Sequence, residues 1–127
     1  MDLELPEELR LLKDNLRRFV ERELIPLERA VVNDVAQQKA LQKTLRPKVE
    51  ALGLWQYDVP EELGGLGLGM LAKVIVWSEV SRTTALPARH VSLFGFPVSP
   101  ILYTLEGEAR EHYLLPVIRG EKTSCFA

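Results

Sequence analysis

Only one cysteine, Cys125, stands in 127 residues, so no disulfide can form within the chain, and the composition suits a reducing compartment. Aromatic residues are sparse, at 7%. No excess of one charge is present either: 16 basic residues against 18 acidic leave a net −2, and no segment gathers like charges. A surface that tracks phosphates needs a basic stripe, so nucleic acid is not an expected partner. Long apolar runs are also missing. The longest stretch free of Asp, Glu, Lys and Arg runs from His90 to Leu105, broken by Pro97 and Pro100. It is too short to cross a bilayer as a helix, and no membrane association is expected. The N-terminus, Met1-Asp2-Leu3-Glu4, is acidic where a targeting peptide would be basic, which makes cytoplasmic the expected location.

What is present is 46% hydrophobic residues in a length that suits one domain with a real core. Residues 6–30 carry the strongest periodicity. Leu9, Leu12, Leu16, Phe19, Val20 and Leu24 recur at three- and four-residue steps, opposite Lys13, Asp14, Arg17, Arg18, Glu21 and Arg22. Pro6 suits the first helical position, and Pro26 is expected to kink or end the helix near Leu24. A second helical pattern covers 37–52, with Pro47 predicting a break and Gly53 a stop. Leu54 to Pro60 reads as extended, and Glu61 to Gly69 as a glycine-rich loop.

From Met70 to Val80 the chain is apolar almost all round, the pattern of a helix covered on most faces. Ser99-Pro100 resembles a cap and first-turn proline opening a short helix to Leu105. Another helix is predicted from Gly107 to Ile118, closed by Gly120, and residues 121–127 alternate as a strand does. The chain thus reads as an all-α domain over 1–120, followed at 121–127 by the first strand of something further.

Isolated motifs carry little chemistry. The run Gly64 to Gly69, GGLGLG, has the wrong spacing for a dinucleotide fingerprint, and no Gly-Lys-Ser/Thr makes it a P-loop. His90 and His112 lack the companions that a metal site requires. Cys125 has no histidine near it in sequence and reads as a structural thiol. Glu61, Glu62, Glu106, Glu108 and Glu111 read as solvated charges rather than an acid–base pair.

Three segments taken together resemble the N-terminal domain of the acyl-CoA dehydrogenase family. They are LGLWQYDVPEELGGLGLG (Leu52 to Gly69), the apolar 70–80 helix with the small-residue and His90 region after it, and EAREHYLLPVIRGEKTSCFA (Glu108 to Ala127). Their order and spacing match the family along essentially the whole chain. Leu105 stands where the family usually has glycine, and Ala109 where glutamine is frequent, which points to a divergent branch.

The resemblance implies an acyl-CoA dehydrogenase N-terminal-like helical bundle, followed by a middle β-domain and a C-terminal bundle, with FAD held between those two. It implies an enzyme that removes an α-proton from an acyl-CoA thioester with a carboxylate base while the β-hydride moves to the flavin. The base belongs to the C-terminal domain, and a Thr-Glu-Pro flavin motif is expected just beyond Ala127. The chain alone is therefore expected to be inactive and not to bind FAD, its role being scaffold and acyl-pocket wall within a homo-oligomeric parent. By the resemblance, Ser92, Leu93 and Phe96 fall at the far wall of the acyl pocket, and Phe126 falls near the flavin; no residue here is expected to be catalytic or to bind metal. Ordinary core packing explains the three wall residues equally well. A free-standing helical interaction module, or the same domain of an acyl-CoA oxidase or flavin-dependent monooxygenase, are the alternatives.

Overall fold

The computed structural model describes residues 4–86, 92–95 and 97–123. Among these the architecture is all-α, with no strand. Helix α1, Glu7–Phe19, begins one residue after Pro6, which serves as its N-cap, and Glu7 and Glu8 lie in the first turn where the dipole favours acid. The helix does not end at Pro26. It passes through a π turn, Val20–Leu24, then a 3-10 turn, Ile25–Leu27, into α2, Glu28–Val31. The wider turn lets Ile25 N–H donate to the Val20 carbonyl just before the proline removes the next donor.

The same device recurs downstream. Helix α5, Gly107–Ala109, opens into a π turn, Arg110–Leu114, and Pro116 follows at the start of Leu115–Ile118 (α6 below). Pro116 has no N–H for the His112 carbonyl four residues back, and the Lys122 ammonium donates to that oxygen instead, at 3.2 Å.

Helix α3, Val35–Ala51, corrects the expected break at Pro47, which lies inside an unbroken helix. Pro47 faces solvent, where water can satisfy the carbonyl it strands. Asp34 caps the start, its Oδ1 accepting from Gln37 N–H at 3.0 Å, and this bond holds its carboxyl below the ordinary range. Gly53 closes the helix at φ 69°. The segment expected to be extended from Leu54 to Pro60 is instead a series of tight turns, because Gln56 adopts φ 54°. Residues 100–104 form a 3-10 turn rather than an α-helix, without a Ser99 side-chain cap. Residues 121–123 are turn and coil, with Glu121 and Lys122 N–H both donating to the Pro116 carbonyl; the rest of the expected strand lies outside the described residues.

Helix α4, Met70–Val80, packs on α1 to make the main core. Leu16, Phe19, Val20 and Leu24 meet Ile75, Val76 and Val80, with Leu45 and Val49 of α3 behind them. A smaller cluster of Val59, Leu114 and Ile118 joins α6 to the turns. Helix α4 also departs from the expected all-round burial. Met70, Val74 and Trp77 recur at four- and three-residue steps along one uncovered face, Met70 being 73% and Trp77 48% exposed.

Candidate functional site

Two short stretches, one just after α4 and the other at 92–95, are each held by contacts from distant elements. On the upstream side, Thr84 N–H donates to Glu28 Oε1 at 2.9 Å, and Gln38 Nε2 donates to the Thr84 carbonyl at 3.0 Å. Hydrogen bonds from the Thr83 hydroxyl and the Thr84 backbone hold the Glu28 carboxyl below its ordinary range. On the downstream side a 3-10 turn, Ser92–Phe94, lies against α3. Phe94 meets Phe19 edge-on, with ring centroids 6.1 Å apart, and its carbonyl accepts from Gln56 N–H at 2.8 Å.

Leu93, 1% exposed, belongs to the same core cluster as Phe94 and Phe19, so its side chain is occupied with packing inside this chain. Of the other residues singled out from the sequence, Ser92 lies in the 3-10 turn, while Phe96 and Phe126 lie outside the described residues, as do His90 and Cys125. Ser92 and Leu93 are thus brought together on one turn.

A second feature escaped the sequence reading: the ion cluster that fastens α1 to α4. Glu79, 2% exposed, accepts from Arg17 Nε at 3.2 Å, Arg17 Nη2 at 2.9 Å and Arg82 Nη1 at 3.1 Å. Arg82 reaches on to Glu21 at 3.2 Å. The Arg17 hydrogen bond, above all, holds the Glu79 carboxyl below its ordinary range. A lone acid among Ile75, Val76 and Val80 was the available signal. Burial likewise pushes the Tyr57 phenol up to about 12, so it stays neutral within the core.

The backbone donors of the glycine run bond within the chain. Gly65 N–H donates to the Pro60 carbonyl, Leu66 N–H to Gln56, Gly67 N–H to Val59 and Leu68 N–H to Tyr57. A Cβ on Gly65 would collide with the Val59 carbonyl, so this glycine permits a close backbone approach. With these donors turned inward, no nest remains for a phosphate. Glu61, Glu62, Glu106, Glu108, Glu111 and His112 are exposed. Among the described residues no cluster of acids, His and Cys is suited to a metal ion, and no helix is long and apolar enough to cross a membrane.

Two open grooves lie among the described residues. One, of about 510 Å³, runs between α1 and the end of α3, lined by Asn15, Arg18, Phe19, Arg22, Lys48 and Leu52 among others. The other, of about 470 Å³, follows the uncovered side of α4 along Met70, Val74 and Trp77. Neither is an enclosed cleft for a dinucleotide, so the described residues do not by themselves fit FAD.

Residues 6–121 match the family model for the acyl-CoA dehydrogenase N-terminal domain. The chain belongs to this family. It is 36% identical over 126 residues to the mitochondrial short-chain specific acyl-CoA dehydrogenase of Sus scrofa, covering 98% of this chain and 30% of that protein. It is 35% identical over 142 residues to (R)-benzylsuccinyl-CoA dehydrogenase of Thauera aromatica, covering 99% of this chain and 34% of that protein. Among solved structures, one reported with the electron transferring flavoprotein of Acidaminococcus fermentans shares the fold, with a TM-score of 0.68 at 24% identity, over 97% of this chain and 32% of that one. The acyl-CoA dehydrogenase N-terminal domain therefore accounts for the helical fold, and the chain spans about a third of the length of these relatives.

Proposed function

We propose that this chain serves as the N-terminal domain of an FAD-dependent acyl-CoA dehydrogenase, an oxidoreductase acting on the CH–CH bond of acyl-CoA thioesters in fatty acid metabolism. The observation that carries the reading is the match of nearly the whole chain to the N-terminal domain of such enzymes. Within the complete enzyme this domain supplies scaffold and the far wall of the acyl pocket. We place the wall at Ser92, Leu93 and Phe96, beside Phe94, whose carbonyl accepts from Gln56 N–H and whose ring meets Phe19.

Redox chemistry in such an enzyme belongs to the flavin, and no step of it is assigned to the described residues. The family resemblance supports a position near the flavin for Phe126. The uncovered stripe of Met70, Val74 and Trp77 supports a domain whose α4 is covered by the remainder of a longer, homo-oligomeric enzyme. It speaks against a free-standing module, which would be expected to keep that face polar. A cytoplasmic location remains part of the proposal, and the lone cysteine is compatible with a reducing compartment.

The test is the intact mass and absorption spectrum of the protein purified from its native cell. A species several times heavier than 14.4 kDa with bound flavin is expected. A stable, flavin-free product of 14.4 kDa would overturn the reading.

A further inference from the structure

A helix that ends at the surface leaves its last carbonyls to water and its exit free to fray. The end of α6 is held instead. Arg119 N–H donates to the Leu115 carbonyl, Gly120 N–H to Val117, and Glu121 and Lys122 N–H both to Pro116. Two further carbonyls are taken by side chains from far earlier in the chain. Gln56 Nε2 donates to the Ile118 carbonyl at 2.7 Å, and Arg46 Nη2 to the Arg119 carbonyl at 3.4 Å. Every carbonyl from Leu115 to Arg119 therefore has a protein donor.

These side chains are themselves fixed. The Arg46 guanidinium lies over the Trp55 ring, 4.1 Å from its centroid, and Arg46 Nε donates to Glu50 Oε1 at 2.7 Å. Gly120, at φ 76°, fits directly against this stack: a Cβ there would lie 3.2 Å from Arg46 Nη1 and 3.3 Å from Trp55 Cζ2. Gln56 is 2% exposed and holds φ 54°, a left-handed conformation that a Cβ disfavours. Strain of that kind persists only where its surroundings impose it, and here it accompanies the grip on Ile118. Gln56 N–H also donates to the carbonyl of Phe94, a member of the main core, at 2.8 Å. The support under the exit is thus tied to the most buried part of the domain.

We propose that Arg46, Trp55 and Gln56 form a seat that fixes the direction in which the chain leaves the helical domain, and with it the angle at which the next domain of the enzyme stands on this one. This rests on the reading that such a domain follows. Domains joined in one chain move relative to one another by default unless their junction is held. Here the exit is held at Ile118, Arg119 and Gly120, and the Lys122 ammonium, donating to the His112 carbonyl at 3.2 Å, turns it back along α6.

The experiment uses the full-length flavoenzyme carrying this domain and its Arg46→Ala variant. Hydrogen exchange is followed at the Glu121 and Lys122 amides, with those of α1 as the reference for global opening. Two spin labels, one at the exposed Arg10 of α1 and one on the domain that follows, report the distance between the domains. Arg46→Ala is expected to speed exchange at Glu121 and Lys122 about tenfold, the effect of losing a cation–π contact and a hydrogen bond, with α1 unchanged. The distance distribution is expected to broaden, and Arg46→Lys, which restores a cation over Trp55, to narrow it again. Unchanged exchange, or exchange that rises equally in α1, overturns the proposal. So does a distance distribution as narrow as that of wild type. Should Arg46→Ala fail to fold, Arg46→Met keeps the stem without the guanidinium and is read in the same way. A native product with no domain after this one instead overturns the longer-enzyme reading, and this inference with it.

Discussion

Replacing Glu79 by alanine tests how α1 and α4 are held together. Glu79 is 2% exposed, whereas Arg17 and Arg82 keep 44% and 40% of their side chains in contact with solvent. The variant therefore removes a buried carboxylate and leaves two arginines that water can rehydrate, so the cost lies below the 3–5 kcal/mol typical when a charge is left buried and alone. Losing a charge-assisted set of hydrogen bonds at this site is expected to cost about 2–3 kcal/mol. An unfolding entropy of about 2.1 cal/mol/K per residue gives about 0.27 kcal/mol/K for 127 residues. The melting temperature should then fall by about 7–11 °C at neutral pH, followed by far-ultraviolet circular dichroism.

The pH dependence carries a second check. The folded Glu79 carboxyl titrates below its ordinary value, with Arg17 as the first cause. Its contribution is complete above the unfolded value near about 4.3 and is lost as pH falls through the depressed folded value. The gap between wild type and Glu79→Ala should be constant from neutral pH down to about 5 and close below about 4. A melting temperature within about 2 °C of wild type, or a gap independent of pH, would refute the claim that this carboxylate fastens α1 to α4.

Three further outcomes follow from the same geometry. Gly65→Ala should destabilise strongly, because its Cβ would meet the Val59 carbonyl, whereas Gly69→Ala, with open space around its Cβ, should be mild; comparative thermal melts decide this. Replacing Met70, Val74 and Trp77 together by serine should reduce apolar dye binding and self-association of this chain, and unchanged dye binding would show that the stripe is not its sticky surface. In the full-length enzyme, Phe96→Ala should shift kcat/KM towards longer acyl chains, and an unchanged profile would assign Phe96 to packing.

Much of the helical scaffold is legible in the residues. The α1 stripe from Leu9 to Leu24 packs as its spacing predicts, and Gly53 and Gly120 end their helices at φ 69° and 76°. What periodicity cannot convey is how the chain absorbs its prolines. Pro47 sits harmlessly on a solvated face, while Pro26 and Pro116 are each preceded by a π turn that rearranges the donors. The turns at 55–58 were missed for a related reason: a glutamine at positive φ has no local signature, and tertiary hydrogen bonds impose it. Uniform apolarity over 70–80 correctly predicted a packed helix but hid its uncovered side, since covering by another part of an assembly and covering by this chain leave the same pattern.

The wall segment was placed in sequence by resemblance alone. The contacts that hold its neighbours, Glu28 and Gln38 on Thr84 and Gln56 on Phe94, come from distant stretches and form only in the folded chain.

The most direct measurement of the central claim is anaerobic titration of the full-length protein with acyl-CoA, followed in the flavin absorption band. The account predicts bleaching of bound flavin with formation of the α,β-unsaturated thioester. Flavin that stays oxidised with every acyl-CoA tested, or a full-length protein that holds no flavin, would contradict it.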